Sequence, residues 1–219
     1  IASCLVGSEM CIRDSASWAM SPQVYDTAPI FRSKEEAWQL FRIGPADGYA
    51  PAGQARRAYP GQQFPEDAFD TFAKQFVPRW LNHDAMALDA YRLLLDLAGP
   101  CIVIGHSQGG GYATQLAREC PGPIRAVVAV EPTGTPATVD GPLPPQLLIW
   151  GDHFAANDTW QRYRAQTDAY WHALQRAGKR ADVLDLPAAG IAGNSHFCML
   201  DRNSDRIAEL IVDWLNGLD

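Results

Sequence analysis

In the second half of the chain, short apolar runs alternate with longer segments whose apolar residues recur every three or four positions. The runs at 101–105, 125–130, 146–150 and 181–186 are too short for helices and rich in Val, Ile and Leu. Such runs predict strands of a parallel sheet covered on both faces. Between them a helix is predicted over 110–120, ended by Pro121, Gly122 and Pro123. Another starts at Asp158 as cap and stops at Gly178. A last one is capped by Ser204 and carries Ile207, Ala208, Leu210, Ile211, Trp214 and Leu215 on one side. This order is that of an α/β fold, a parallel sheet of about four strands flanked by helices.

The first half reads differently. Ser33 and Glu36 form a capping box that opens a short helix bearing Ala37, Trp38, Leu40 and Phe41. Residues 44–61 are rich in Gly and Pro and predict an irregular loop. Pro65 suits a first helical position; Phe69, Phe72 and Phe76 follow at helical spacing, and Pro78 ends the run. Asn82 caps a helix reaching about Leu97, stopped by Gly99 and Pro100. The many aromatics between Pro29 and Trp80 suggest a lid-like or inserted segment (29–80) that shapes a pocket above the sheet.

Composition narrows the functions. The 219 residues are 47% hydrophobic and 20% charged, ordinary for one globular domain. A net charge of -7 argues against nucleic acid or an anionic membrane surface as partner. No apolar run has the length needed to span a bilayer. The five cysteines contain no C-x-x-C pair and no zinc-like spacing with histidine, so neither a metal nor another cofactor is expected. Cys101 and Cys120 fall near one end of the sheet and are expected as two buried thiols rather than a disulfide.

Candidate chemistry begins at Gly105-His-Ser-Gln-Gly109, a G-x-S-x-G motif between an apolar strand and a small-residue helix. On such a strand-to-helix turn, Ser107 is the expected nucleophile. The residues two before and two after it are expected to be tiny, a demand that Gly105 and Gly109 meet. Gly110 and Gly111 let the helix approach closely. The Gln108 backbone N–H is the expected oxyanion donor, aided by the helix N-terminus. The side chain of His106 is expected to turn away, as strand neighbours do.

A serine needs a base. His196 lies after the last predicted strand and before the final helix, the position of the base in this arrangement, and no other histidine after Ser107 fits as well. For the acid, two residues compete. Asp152 follows the 146–150 strand but comes directly after Gly151. Glu131 ends the preceding strand, next to Pro132, with a side chain long enough to reach an imidazole from there. Glu131 is preferred, with Asp152 the alternative acid.

These residues resemble the α/β-hydrolase superfamily, and within it a group of bacterial esterases of the 713 type. The resemblance rests on the segment 37–45, the Gly-His-Ser-Gln-Gly-Gly elbow, Val130-Glu-Pro132, and Gly193-Asn-Ser-His-Phe with Met199-Leu-Asp. It implies Ser107, Glu131 and His196 as a triad, a small-molecule ester as substrate, and a serine hydrolase as function. It also implies further strands before the elbow and a His-Gly loop supplying a second oxyanion donor. Nothing in the chain matches either, so a partial hydrolase fold is expected. Residues 5–15 resemble the in-frame translation of a sequencing-library adapter, which suggests that 1–15 are an artefact and 16–219 the C-terminal part of a hydrolase from a metagenomic fragment. The alternatives are a non-catalytic binding protein on the same scaffold, or an amidase or thioesterase with the same triad.

Overall fold

The protein is described by a computed structural model covering residues 27, 28, 30–76 and 82–218. The adapter-like residues 1–15, and with them Pro29, Pro78 and Trp80, lie outside the described residues. Helices α1 (Lys34–Leu40), α2 (Phe69–Ala73) and α3 (Asp84–Ala98) precede β1 (Cys101–His106). Then come α4 (Gln108–Glu119), β2 (Ile124–Val130), β3 (Gln146–Trp150), α5 (Asp158–Arg176), β4 (Ala181–Asp185) and α6 (Ser204–Asn216).

The four strands are parallel and lie in the order β1-β2-β3-β4, so spatial order follows chain order. The register sets His106 beside Val130, Val130 beside Ile149, and Ile149 beside Leu184. The residues that leave β1, β2 and β3, namely Ser107, Glu131 and Gly151, therefore share one rim. Ligands in open α/β sheets collect at this carboxyl end of the strands.

Alternation along β2 explains the layering. Val127 and Ala129 face a core built with Leu116 and Ala117 of α4 and Trp160, Trp171 and Leu174 of α5. Val128 and Val130 face a second core with Leu147, Ile149 and Ile207 of α6. Both faces of β2 and β3 are buried, as a parallel sheet requires. On β1, Ile102 and Ile104 remain 44% and 53% exposed.

Three helix caps lie one residue from the expected positions, and α4 begins at Gln108 rather than at residue 110. His83, not Asn82, occupies the cap position of α3. Asn157, not Asp158, caps α5, its side chain accepting the Trp160 N–H at 3.1 Å. Asn203, not Ser204, precedes α6. In the pairs Asn157-Asp158 and Asn203-Ser204 both residues are good cap formers, and only the turn of the backbone selects between them. The helix expected from Pro65 onward divides into a 3-10 turn, Glu66–Ala68, and the short α2.

Residues 30–76 form a third small core around Trp38, Ile43, Phe64 and Phe69. The capping box is present, with the Glu36 N–H on Ser33 Oγ and the Ser33 N–H on the Glu36 carboxylate. This segment is clamped to the rim by backbone hydrogen bonds: Gln63 N–H to Gly193 O at 2.8 Å, Arg202 N–H to Gln63 O at 2.9 Å, and His196 N–H to Phe41 O at 3.0 Å.

Candidate active site

Ser107 sits between β1 and α4 with φ 56° and ψ -123°, a left-handed backbone that a serine rarely adopts. Hydrogen bonds on both sides hold the strain. Ser107 N–H donates to Val130 O at 2.9 Å, and Ser107 O accepts from Gly110, Gly111 and Thr133 N–H groups. Gln108 is the first residue of α4, so its N–H has no acceptor within the helix. Its side chain is drawn aside to Asp84 at 2.9 Å, where the Tyr112 hydroxyl also donates. The elbow helix is thereby tied to the start of α3.

The demand for small residues holds at Gly105, where a Cβ would lie 2.4 Å from Gly109 O, and at Gly111, where it would lie 2.0 Å from Thr133 O. It does not hold at Gly109, where an added Cβ meets nothing within 4 Å. The sequence expectation for Gly109 is corrected accordingly: its outer side faces open space.

Glu131 follows β2 directly, also with positive φ (51°), and is fully buried. One carboxylate oxygen accepts from Arg42 Nη2 at 2.6 Å and from Gly151 N–H at 2.5 Å. The other lies 3.4 Å from His196 Nδ1, the outer limit of a hydrogen bond. Burial pushes the Glu131 carboxyl upward, while Arg42 and the Gly151 N–H pull it back. Asp152 is directed elsewhere. Its carboxylate accepts from Gly193 N–H at 2.9 Å and His153 N–H at 2.6 Å, which fixes two loops to each other. Of the two candidate acids, it is Glu131 that meets the imidazole.

His196 is 2% exposed. Trp160 packs on its ring at 4.2 Å between centroids, Phe197 at 5.1 Å, and Phe41 stacks at 5.8 Å. Burial, with the nearby Arg42 cation, holds the imidazole well below its ordinary value and therefore neutral. Its loop is anchored by Asp201, whose carboxylate accepts from the Ser195 N–H and hydroxyl and from the Asn194 amide, each at 2.8 Å. Among the described residues no hydrogen bond joins the Ser107 hydroxyl to His196.

His106 does not turn away. Its ring lies 4.4 Å from that of His196, and its Nε2 is bonded to His196 O at 2.8 Å. The rule of alternating sides fails here because β1 ends at this residue and the His196 loop folds over its outer face. Arg42, Trp160 and Asp201, the first and last of which fall inside segments that carry the resemblance, are given no role by the sequence. A lone arginine between Phe41 and Ile43, in an otherwise apolar stretch, was the available signal for the first. Cys101 and Cys120 are free thiols.

Three comparisons with known proteins agree. The profile of the alpha/beta hydrolase family matches residues 55–207. A probable secreted lipase, phiG, of Fungal sp. (strain ATCC 74256) is 25% identical over 58% of this chain and 48% of its own length. A bacterial esterase solved at atomic resolution superimposes with a TM-score of 0.72 at 31% identity, over 87% of this chain and 59% of that one. The chain thus spans about half to three fifths of the length of these relatives.

Proposed function

The chain belongs to the alpha/beta hydrolase family, and on that footing we propose that it is the catalytic portion of a serine hydrolase acting on carboxylic esters, with Ser107, His196 and Glu131 as its triad. The observation that carries this reading is the strained Ser107 backbone on the same rim as a buried, neutral imidazole paired with a carboxylate. The lipase and esterase relatives favour esters among acyl substrates.

In this reading the Ser107 hydroxyl attacks the ester carbonyl as its proton passes to His196 Nε2. Glu131, at Nδ1, orients the ring and stabilises the imidazolium that forms. The N–H of Gln108 and the start of α4 receive the developing oxyanion. The imidazolium then protonates the departing alcohol, and water, activated by the same imidazole, releases the acid and restores Ser107. Hydrogen bonds of this kind are often open in the free enzyme and close around substrate, which accommodates a Ser107 hydroxyl not bonded to His196 among the described residues. Residues 30–76, through Phe41, Phe72 and Phe76, supply an aromatic wall beside His196 suited to an apolar acyl group.

A fluorophosphonate probe tests the proposal on the purified chain. Adduct formation at Ser107, mapped by mass spectrometry and abolished by Ser107→Ala, is expected. A folded chain that stays unlabelled would mean a binding protein on a hydrolase scaffold. A panel of p-nitrophenyl esters, anilides and thioesters then separates esterase from amidase or thioesterase action.

A further inference from the structure

We infer that Arg42 is a positioning residue of this site, whose guanidinium fixes Glu131 in the orientation and ionised form that keep His196 a base. The inference rests on the triad proposed above and adds a fourth residue to it.

Arg42 has no solvent exposure. Its Nη2 donates to Glu131 at 2.6 Å and its Nε to Asp152 O at 2.7 Å, so two edges of the planar group are fixed. Its faces are covered by aromatic rings, Phe154 at 4.0 Å and Trp160 at 4.9 Å. Trp160 is the same ring that packs on His196. The backbone is fixed as well: Arg42 has φ 56°, and the Gln62 side-chain amide donates to the carbonyls of both Arg42 and Ile43 at 2.9 Å. Arg42 and Gly151 share one Glu131 oxygen, which leaves the other free for the imidazole.

Charge balance gives this arrangement its consequence. With Arg42 present, the trio of guanidinium, carboxylate and neutral imidazole sums to zero. Adding a proton would create a net positive charge in an apolar site, which is costly. Without Arg42, the Glu131–His196 pair carries one negative charge, and taking up a proton neutralises it. If His196 holds that proton the base is lost; if Glu131 holds it, the imidazole loses the carboxylate that stabilises its protonated form. The other titratable groups around the trio do not replace the cation. His106, against His196, is itself held neutral by burial. Asp201 and the Cys198 thiol lie on the Glu131 side and offer no positive charge. Asp152 and His153 lie on the Arg42 side, His153 stacked on Tyr59 and also shifted toward its neutral form by burial.

The test is an imidazole nitrogen NMR titration of His196 in the 219-residue chain, beside fluorophosphonate labelling measured against pH. In Arg42→Met, the midpoint of proton uptake by the Glu131–His196 pair is expected to rise by about 1–3 pH units. The acid limb of Ser107 labelling should move with it. Arg42→Lys keeps the charge but not the two-edged fork, so its midpoint should rise less while labelling slows by up to about a hundredfold. A purely structural arginine would lower stability and leave the midpoint in place. An unchanged midpoint in Arg42→Met overturns the inference; if that variant does not fold, an unchanged midpoint and unchanged labelling in Arg42→Lys do so. Wild-type chain that titrates as described but never labels at Ser107 would overturn the hydrolase reading instead, and the titration would still decide the role of Arg42.

Discussion

His106 and His196 meet ring to ring, 4.4 Å apart, and His106 Nε2 is bonded to the carbonyl of His196. Burial first, then the neighbouring His196, holds His106 far down, at about 3 against an ordinary 6.5. The folded chain thus keeps His106 neutral where the unfolded chain protonates it. The associated stability is complete above about pH 6.5 and is lost as pH falls toward 3. We expect urea unfolding to show wild-type stability falling below pH 6.5 with His106 contributing up to ~1.4 kcal/mol per pH unit. His106→Phe retains an aromatic ring, loses the bond at a cost of about 1 kcal/mol at pH 8, and should fall less steeply in acid. Parallel curves for the two proteins would contradict this.

The choice between the two acids predicts opposite balances of activity and stability. Glu131→Gln should slow reaction of Ser107 by about 10²–10⁴ through loss of the imidazole's partner. It should also destabilise the fold by about 3–5 kcal/mol, because Arg42 keeps a buried charge without its partner. Asp152→Asn weakens two backbone hydrogen bonds, at about 1–2 kcal/mol, and should leave labelling within a few-fold of wild type. Rates are to be compared at a temperature where circular dichroism shows both variants folded. A greater loss of labelling in Asp152→Asn than in Glu131→Gln would make Asp152 the better acid.

Glycines of the elbow separate by what surrounds them. Gly111→Ala would force a Cβ to 2.0 Å from Thr133 O, and Gly105→Ala to 2.4 Å from Gly109 O. Each should cost several kcal/mol, since backbone, not a flexible side chain, must move. Gly109→Ala meets nothing within 4 Å and lies in a helix, where alanine is favoured by about 1 kcal/mol. It should raise or preserve the melting temperature. If Gly109→Ala and Gly111→Ala melt alike, the close approach of α4 to the turn after β2 is wrong.

The sheet and the elbow were legible because their signals are local. Short Val-rich runs flanked by Pro and Gly admit few structures, and the strand-Ser-helix context is contiguous in sequence. The parallel pairing and the four-strand sheet followed from those runs. The environment of the imidazole was not legible, because it is assembled from distant segments. Arg42 reaches Glu131 across 89 positions, and His106 reaches His196 across 90. No periodicity records that an arginine is buried when the groups enclosing it arrive from α5, β2 and the turn after β3. At α5 and α6 the cap positions failed for a smaller reason, adjacent residues of equal capping ability.

The β1 edge predicts how the chain behaves in solution. Among the described residues β1 pairs on one side only, with β2. Cys101 and Val103 pack inward, but Ile102 and Ile104 are 44% and 53% exposed. Helix α3, next before it in the chain, shows Leu93 at 67% and Leu97 at 86%. An apolar strand with free backbone donors and acceptors is a template for another strand. Concentrated solutions of the chain should therefore self-associate, with light scattering rising steeply with concentration. Ile104→Lys places a charge on the exposed face without touching the Ser107 side of the motif. It should suppress association at little cost to thermal stability, because that face buries little. Arg125→Ala, an exposed change on the adjacent strand β2, serves as the control and should not. Association equal in wild type and Ile104→Lys would show that the contact lies elsewhere, and the exposed α3 leucines would be the next surface to charge.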